Sequence, residues 1–164
     1  MILNSKLYRG GIGMAGEFGH IRISGLEASC HCGKIGCLET VSSGRAIENV
    51  AGKPLQEIIE AARKDDISAI DLLHRAGEKL GEGIATMIHL FNPDMVVIGG
   101  EIVQAGDLML VPVQQAINKY ALARMRGHCE LKMSNLGVYS AILGTLMMVM
   151  EHLYDDTECE YSLY

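Results

Sequence analysis

The chain has 164 residues, of which 49% are hydrophobic and 21% are charged. This length and composition predict one compact globular domain and exclude a disordered chain. The formal net charge is −6, and no stretch of the sequence gathers lysine and arginine. Because affinity for a phosphate backbone depends on clustered basic side chains, we do not expect the chain by itself to bind nucleic acid.

The apolar segments are too short to span a membrane. The longest run, Ala141 to Met150, is shorter than the roughly 20 residues that cross a bilayer, and the amino terminus lacks the pattern of a signal peptide. We therefore expect a cytoplasmic protein with no membrane partner. Three of the five cysteines lie within eight residues, which in a reducing compartment favours a metal site over disulfides.

The first fifty residues predict short strands, a flexible segment and a helix. Residues 1–3 and 7–8 are typical of two strands joined by a polar turn at 4–6. Residues 10–19 include five glycines, which let the backbone approach another group closely. The sequence HIRIS at 20–24 alternates like a half-buried strand, and we expect a helix over residues 39–50.

A second helix is expected from Pro54, because proline is tolerated in the first turn. Asp65 and Asp66 then offer a cap for a long amphipathic helix that ends near Phe91. Three glycines in this helix would each cost about 1 kcal/mol relative to alanine, so they indicate close packing against a neighbour. They are Gly77, Gly81 and Gly83.

Strands and helices alternate after Asn92 and Pro93, which end the long helix. The continuous apolar run at 95–98 predicts a buried parallel strand. A helix over 108–124, a strand over 130–133 and a final helix over 139–153 follow, and the acidic tail at 154–164 is expected to be frayed. This alternation predicts an α/β layered fold.

The cysteine cluster predicts a metal site. Cys30, Cys32 and Cys37 supply three thiolates, and His20 lies ten residues before the first of them. Three cysteines and one histidine form the tetrahedral ligand set typical of closed structural zinc sites. The spacing is not that of the common CxxC pairs, so an alternative is that the three cysteines are simply reduced thiols in a loop, or that two of them form a redox disulfide. We expect one structural zinc ion.

The residues between the ligands shape the loop. Gly33 and Gly36 allow the sharp turns that would point all three sulfur atoms inward. His31 lies between two ligands and is expected to face the other way.

The segment 16–39, GEFGHIRISGLEASCHCGKIGCLE, resembles the signature of the ROK family (repressors, open reading frames and sugar kinases). That signature combines Glu-x-Gly-His with a cysteine cluster of the form CxCGxxGCxE. One departure is Glu27, where the family usually has glycine. The resemblance extends to LFNPDMVVIGGEI at 90–102 and YSAILGT at 139–145, and it matches the carboxy-terminal half of the family.

The resemblance implies an actin-like ATPase (ribonuclease H-like) α/β fold with the zinc loop beside a ligand cleft. Residues 1–164 would then be one carboxy-terminal domain, with the sugar cleft and zinc loop at 10–40, the core at 41–153 and a tail at 154–164. ROK proteins are commonly dimers or tetramers. The helices at 66–91 and 139–153 are also too apolar to be left bare, so we expect a homodimer.

Two carboxylates flank the cluster, and carboxylates accept strong hydrogen bonds from hydroxyl groups. They are Glu17 and Glu39, and the resemblance implies that both contact a hexose or N-acetylhexosamine together with His20. His20 would use one ring nitrogen on zinc and the other on the ligand. The alternative gives Glu39 a charge role at a helix N-terminus and leaves Glu17 as a solvated turn residue.

Gly99 and Gly100 follow the strand at 95–98, where an α/β sheet commonly opens to a ligand; a plain turn would explain them equally. In the sugar kinases of the family the matching stretch lies near the adenosine of ATP and usually has a third glycine. Glu101 stands there in this chain, and its carboxylate would disfavour a polyphosphate. ATP is therefore expected as a cofactor only if the protein is a kinase.

The resulting interpretation is the sugar-sensing effector portion of a ROK transcriptional regulator, with the DNA-binding part upstream and absent from this chain. The loop CHCGKIGCLET is similar to that of N-acetylglucosamine-type repressors. The alternative is the carboxy-terminal half of an ATP-dependent hexose kinase, whose base and phosphate-binding motifs would lie outside this chain, so no catalytic residue is assigned. A free-standing zinc interaction module fits less well.

Overall fold

The computed structural model describes residues 1–160, and for residues 138, 151, 152 and 155–160 it describes the backbone alone. The predicted α/β fold is confirmed. Its strands are β1 (Ile2–Leu3), β2 (Lys6–Leu7), β3 (Met95–Ile98) and β4 (Glu130–Met133). Its helices are α1 (Glu39–Ser42), α2 (Gly44–Ala51), α3 (Leu55–Arg63), α4 (Ile67–Phe91), α5 (Asp107–Tyr120), α6 (Ala123–Arg126) and α7 (Ser140–Glu160). Three 3₁₀ turns cover Phe18–His20, Glu101–Ala105 and Gly137–Tyr139.

The long helix α4 is the centre of the fold. Its predicted start is confirmed, because the Asp66 side chain accepts a hydrogen bond of 3.0 Å from the backbone N–H of Ala69. Its predicted end is confirmed as well: Asn92 adopts a left-handed conformation with φ of 43°, and Pro93 follows. At about 1.5 Å per residue the helix is about 37 Å long, and α1, α2, α3, α5 and α6 all contact it.

Two glycines of α4 allow α5 to pack against it, as the sequence predicts. A Cβ atom at Gly77 would lie 2.7 Å from the Pro112 side chain, and one at Gly81 would overlap the Val113 carbonyl and the Ala116 side chain. Larger residues here would push the helices apart. The hydrophobic core lies along this contact and along α3, and its fully buried large side chains include Ile47, Ile59, Leu73, Ile84, Ile88, Met109 and Val113.

β3 and β4 pair in parallel, with Met95 opposite Glu130, and α5 and α6 form the crossover between them. The predicted positions of both strands are confirmed, but the expected burial of β3 is wrong. Met95 is 44% exposed and Val97 56%. Alternate residues of a strand lie on the same face, so the face of β3 that carries Met95 and Val97 is largely uncovered by the described residues.

The final helix is longer and more exposed than the sequence predicts. It continues past residue 153 to Glu160; the expectation of a frayed tail stays a prediction, and residues 161–164 lie outside the described part. Ile142 is 67% exposed and Met147 66%. Among residues 1–160, no helix is both long and apolar enough to span a membrane.

Three local predictions differ from the structure. The strand expected at 20–24 is reduced to one bridge between Arg22 and Cys37, after the 3₁₀ turn at Phe18–His20. The helix expected over 39–50 breaks at Ser43, whose backbone is extended and whose hydroxyl caps α2 by accepting a bond of 3.1 Å from Ala46. The helix expected over 108–124 divides into α5 and α6 at Ala121 and Leu122.

Candidate metal and ligand site

The loop between His20 and Cys37 folds back on itself. Its two halves meet at an isolated bridge between Ser29 and Ile35, and the Cys30 N–H donates a 2.8 Å hydrogen bond to the Lys34 carbonyl. Gly36 has a φ of +81°, and a Cβ atom there would lie 2.6 Å from the Leu26 carbonyl oxygen. This position therefore requires glycine, and the reversal brings the cysteines together.

The four predicted metal ligands converge. The donor atoms of His20, Cys30, Cys32 and Cys37 all lie within 4.8 Å of one another. A zinc tetrahedron has edges of about 3.8 Å between sulfur atoms and about 3.6 Å between sulfur and nitrogen. The two Sγ atoms of Cys32 and Cys37 are 3.7 Å apart, and the Cys30 Sγ lies 3.6 Å from the His20 Nδ1. The donor set and these edges fit a zinc ion.

The three thiols differ in their tendency to ionise. Burial raises the pKa of Cys30 to about 12, and its hydrogen bond to Glu39 adds to the rise. Burial also raises the pKa of Cys37. A hydrogen bond from the backbone of Lys34 lowers the pKa of the exposed Cys32. Because a metal binds the thiolate, loading the site would displace protons held by the two buried thiols.

The imidazole of His20 joins the metal cluster to the carboxylates. Its Nδ1 faces Cys30, and its Nε2 lies 3.6 Å from an Oε2 atom of Glu17. The Glu17 side chain is 59% exposed, so it borders open solvent. One ring nitrogen is thus turned to the cluster, and the other is turned to the surface.

Glu39 lies at the first residue of α1, against Gly19. A Cβ atom at Gly19 would lie 3.3 Å from the Glu39 Cβ, so the glycine makes room for the carboxylate. The Glu39 Oε1 is 2.8 Å from the Cys30 Sγ and 3.6 Å from the His20 Nδ1. The hydrogen bond from Cys30 lowers the pKa of Glu39, and the nearby charges of His31, His20 and Arg45 add to this effect.

The expectation that His31 faces away from the site is wrong. Its Nδ1 lies 2.8 Å from the Glu39 Oε1, and its ring packs edge to face with that of His20, with centroids 5.3 Å apart. Neighbouring side chains alternate in direction only in extended backbone, whereas residues 31–33 form a turn closed by a bond from the Gly33 N–H to the Cys30 carbonyl. The glycine at 33 was the available signal for this turn.

Gly99 and Gly100 lie outside this cluster. They line an open pocket of about 470 Å³, together with Phe18 and Glu101. Gly100 has a φ of +84°, which glycine adopts readily. Sequence reasoning missed three polar residues of this pocket, which lie where α1 ends and α2 begins. They are Ser42, Ser43 and Arg45.

A match to the ROK family covers residues 1–152, and the chain belongs to that family. The DNA-binding transcriptional dual regulator NagC of Escherichia coli is 36% identical over 157 residues, which is 87% of this chain and 39% of that protein. The glucokinase of Halalkalibacterium halodurans is 33% identical, over 88% of this chain and 50% of that enzyme.

Solved structures show the same relationship. A ROK family glucokinase from Streptomyces griseus, in complex with glucose and AMPPNP, superposes with a TM-score of 0.75 at 31% identity, covering 84% of this chain and 52% of the enzyme. The relatives include both regulators and sugar kinases. The chain spans 39% and 50% of the two curated proteins.

Proposed function

We propose that this chain is the sugar-sensing effector portion of a ROK transcriptional regulator. The observation that carries the proposal is the arrangement of His20, whose two ring nitrogens face the cysteine cluster and Glu17. A single side chain is thereby placed to bind a metal and a ligand at once. The ligand is a hexose or an N-acetylhexosamine, and the names of the relatives, a regulator and glucokinases, support that class.

A structural zinc ion is the second part of the proposal. Cys30, Cys32, Cys37 and His20 would hold it, and it would supply the crosslink that fixes the loop. Residues beside the metal would bind the sugar. His20 keeps its Nε2 toward the surface, while Glu17 and Glu39 accept hydrogen bonds from sugar hydroxyls. Such charge-assisted bonds are roughly twice as strong as neutral ones.

The regulator is favoured over the kinase by Glu101. Glu101 lines the pocket beside Gly99 and Gly100, so a carboxylate borders the space where a nucleotide would lie. Placing a polyphosphate there would bring like charges together. The alternative is the carboxy-terminal half of an ATP-dependent hexose kinase. Two observations favour it: the presence of this pocket, and the likeness to a glucokinase solved with AMPPNP.

Two partners follow from this proposal. Operator DNA would be bound by a part of the protein outside these 164 residues, because the chain has a net charge of −6. A second copy of the chain would pack on α7, where Ile142, Leu146 and Val149 are spaced by four and three residues and are 67%, 54% and 51% exposed. This spacing is typical of helix–helix seams.

The test uses the whole regulator purified with zinc. N-acetylglucosamine, glucose and xylose are titrated by calorimetry, and release from operator DNA is followed with the sugar that binds. We expect release without consumption of ATP. Sugar-dependent transfer of phosphate from ATP would support the kinase instead. Failure of both N-acetylglucosamine and glucose to bind would contradict both functions, whether or not the pentose xylose binds.

A further inference from the structure

The exposed residue His31 makes a specific contact with the carboxylate of Glu39, a candidate sugar-binding residue. The ring is 72% exposed, yet its Nδ1 lies 2.8 Å from the Oε1 of Glu39. An exposed side chain has many alternative rotamers, and holding one of them costs conformational entropy. The contact places His31 on the solvent side of the carboxylate, while Cys30 and His20 approach the same oxygen from the metal cluster.

Metal loading changes which of these groups can donate a hydrogen bond. In the structure the Oε1 is approached by the Cys30 Sγ at 2.8 Å, by the His31 Nδ1 at 2.8 Å and by the His20 Nδ1 at 3.6 Å. A cysteine that binds zinc has lost its proton, and an imidazole nitrogen that binds zinc has no proton to donate. Of these three contacts, only that of His31 keeps a donor.

The charge of the zinc-loaded cluster increases the need for a hydrogen-bond donor that holds the Glu39 carboxylate in place. Three thiolates and one zinc ion carry a net charge of −1, and Glu39 lies directly beside them. Like charges repel at this distance, so the carboxylate would be pushed toward solvent unless a donor holds it. Arg45 contributes a favourable charge from farther away.

We propose that His31 is a positioning residue for Glu39, a role that rests on the proposed function of Glu39 in sugar binding. The Nδ1–H of His31 holds Oε1 and leaves Oε2, which lies on the side of Gly19, to accept a hydrogen bond from a sugar hydroxyl. A carboxylate already held in place loses less freedom when the ligand binds. His31 thus affects affinity through Glu39, without contact with the sugar.

Three substitutions of His31 test the proposal in zinc-loaded protein. Asparagine places its side-chain nitrogen near the position of Nδ1, whereas glutamine places it one bond farther, near Nε2. We expect H31A and H31Q to lose about tenfold in sugar affinity, the value of about one hydrogen bond, and H31N to keep most of it. The control is Glu27→Ala, at an exposed residue of the same loop, which should bind as the unmodified protein does.

Two further measurements separate positioning from other roles. With Glu39→Gln already present, H31A should cause little additional loss, because His31 acts through Glu39; additive losses would mean that His31 contacts the sugar and would overturn the proposal. Zinc content and melting temperature should not change. Equal loss in H31A and H31N accompanied by loss of zinc would show a merely structural role and would overturn the proposal as well.

A spectroscopic measurement keeps the test independent of the proposed function. The carboxyl carbon resonance of Glu39, assigned with Glu39→Gln, should move in the zinc-loaded H31A protein without sugar and should return toward its original position in H31N. If no sugar binds but this pattern is observed, the proposed function fails and the positioning role stands. If sugar binds and the resonance is unchanged in H31A, the positioning role is wrong.

Discussion

The Sγ of Cys30 lies 2.8 Å from the Oε1 of Glu39. The thiol of a candidate metal-binding residue thus donates a hydrogen bond to the carboxylate of a candidate sugar-binding residue. Burial raises the pKa of the thiol and this bond adds to the rise, and the same bond lowers the pKa of the carboxyl. Binding a metal removes the proton of this thiol, because the thiolate is the ligand. The state of the metal cluster is therefore expected to affect the carboxylate beside it.

Purified protein should contain about one zinc ion per chain, with three sulfur ligands at about 2.3 Å and one nitrogen ligand at about 2.0 Å. Cys32→Ser should lose most of the zinc and much of the stability, because metal binding is coupled to folding of the loop. The matched control is Cys129→Ser, which lies outside the cluster. Elemental analysis and X-ray absorption measure both results, and reduced protein without metal would contradict the assignment.

Metal-free protein should lose stability as the pH rises above about 9. The pKa of Cys30 is about 12 in the folded chain against 9.0 for a free thiol, so the unfolded chain gives up its proton first and is favoured between these values. The raised pKa of Cys37 acts in the same direction, and the lowered pKa of Cys32 acts against it. Urea unfolding at pH 7.5 and 10 measures the change.

The comparison for this pH dependence is Cys30→Ala. Other groups titrate in the same range, but they are common to both proteins. The variant should therefore lose less stability than the unmodified chain between the two pH values. Equal losses would show that Cys30 does not contribute.

Glu39→Gln should weaken sugar binding by about 1 to 3 kcal/mol, because an amide oxygen is a poorer acceptor for a hydroxyl than a carboxylate. The fold and the zinc content should be kept, since Glu39 is not among the four proposed metal ligands. Glu27→Gln removes an exposed carboxylate from the same loop and is the control. Calorimetry on the zinc-loaded whole protein gives the affinities; equal affinities for the two variants would refute the role of Glu39.

Gly83→Ala should disturb the site without altering a polar group in it. A Cβ atom at Gly83 would lie 2.8 Å from the Leu38 side chain and 3.0 Å from the ring of Phe18. These residues adjoin Glu39 and Glu17, so the overlap would move both carboxylates and destabilise the chain by about 1 to 3 kcal/mol. Gly127→Ala is the control, since its nearest neighbour would be at 3.6 Å.

The proposed dimer is tested by light scattering. A homodimer is expected at micromolar concentration, and Leu146→Glu should shift it toward monomer because the charge would be buried in the seam. Lys132→Glu, at an exposed residue of β4, is the charge-changing control. A monomer at high concentration would contradict the proposal.

Signals that lie close together in the sequence were sufficient for much of the fold. The cap at Asp66 and the pair Asn92 and Pro93 act within one turn of their helix, so both ends of α4 could be predicted. The cysteine ligands could be found because all three fall in one short loop.

Features that depend on distant contacts could not be predicted in this way. The burial of Val97 depends on a covering layer and not on its own apolar neighbours. The strand expected at 20–24 alternates in sequence, yet the loop closed by Cys37 leaves one bridge there. The direction of His31 follows from a turn, and the residue itself carries no signal of it.

The outer edges of β3 and β4 differ in their protection. β4 carries Glu130 and Lys132, whose charged groups lie 3.0 Å apart, whereas β3 consists of four apolar residues, Met95–Ile98, and within residues 1–160 no other strand pairs with it besides β4. Charged side chains hinder edge-to-edge association, and an apolar edge invites it. We therefore expect isolated chains to associate through the exposed edge of β3, and any segment that covers this edge would prevent that association.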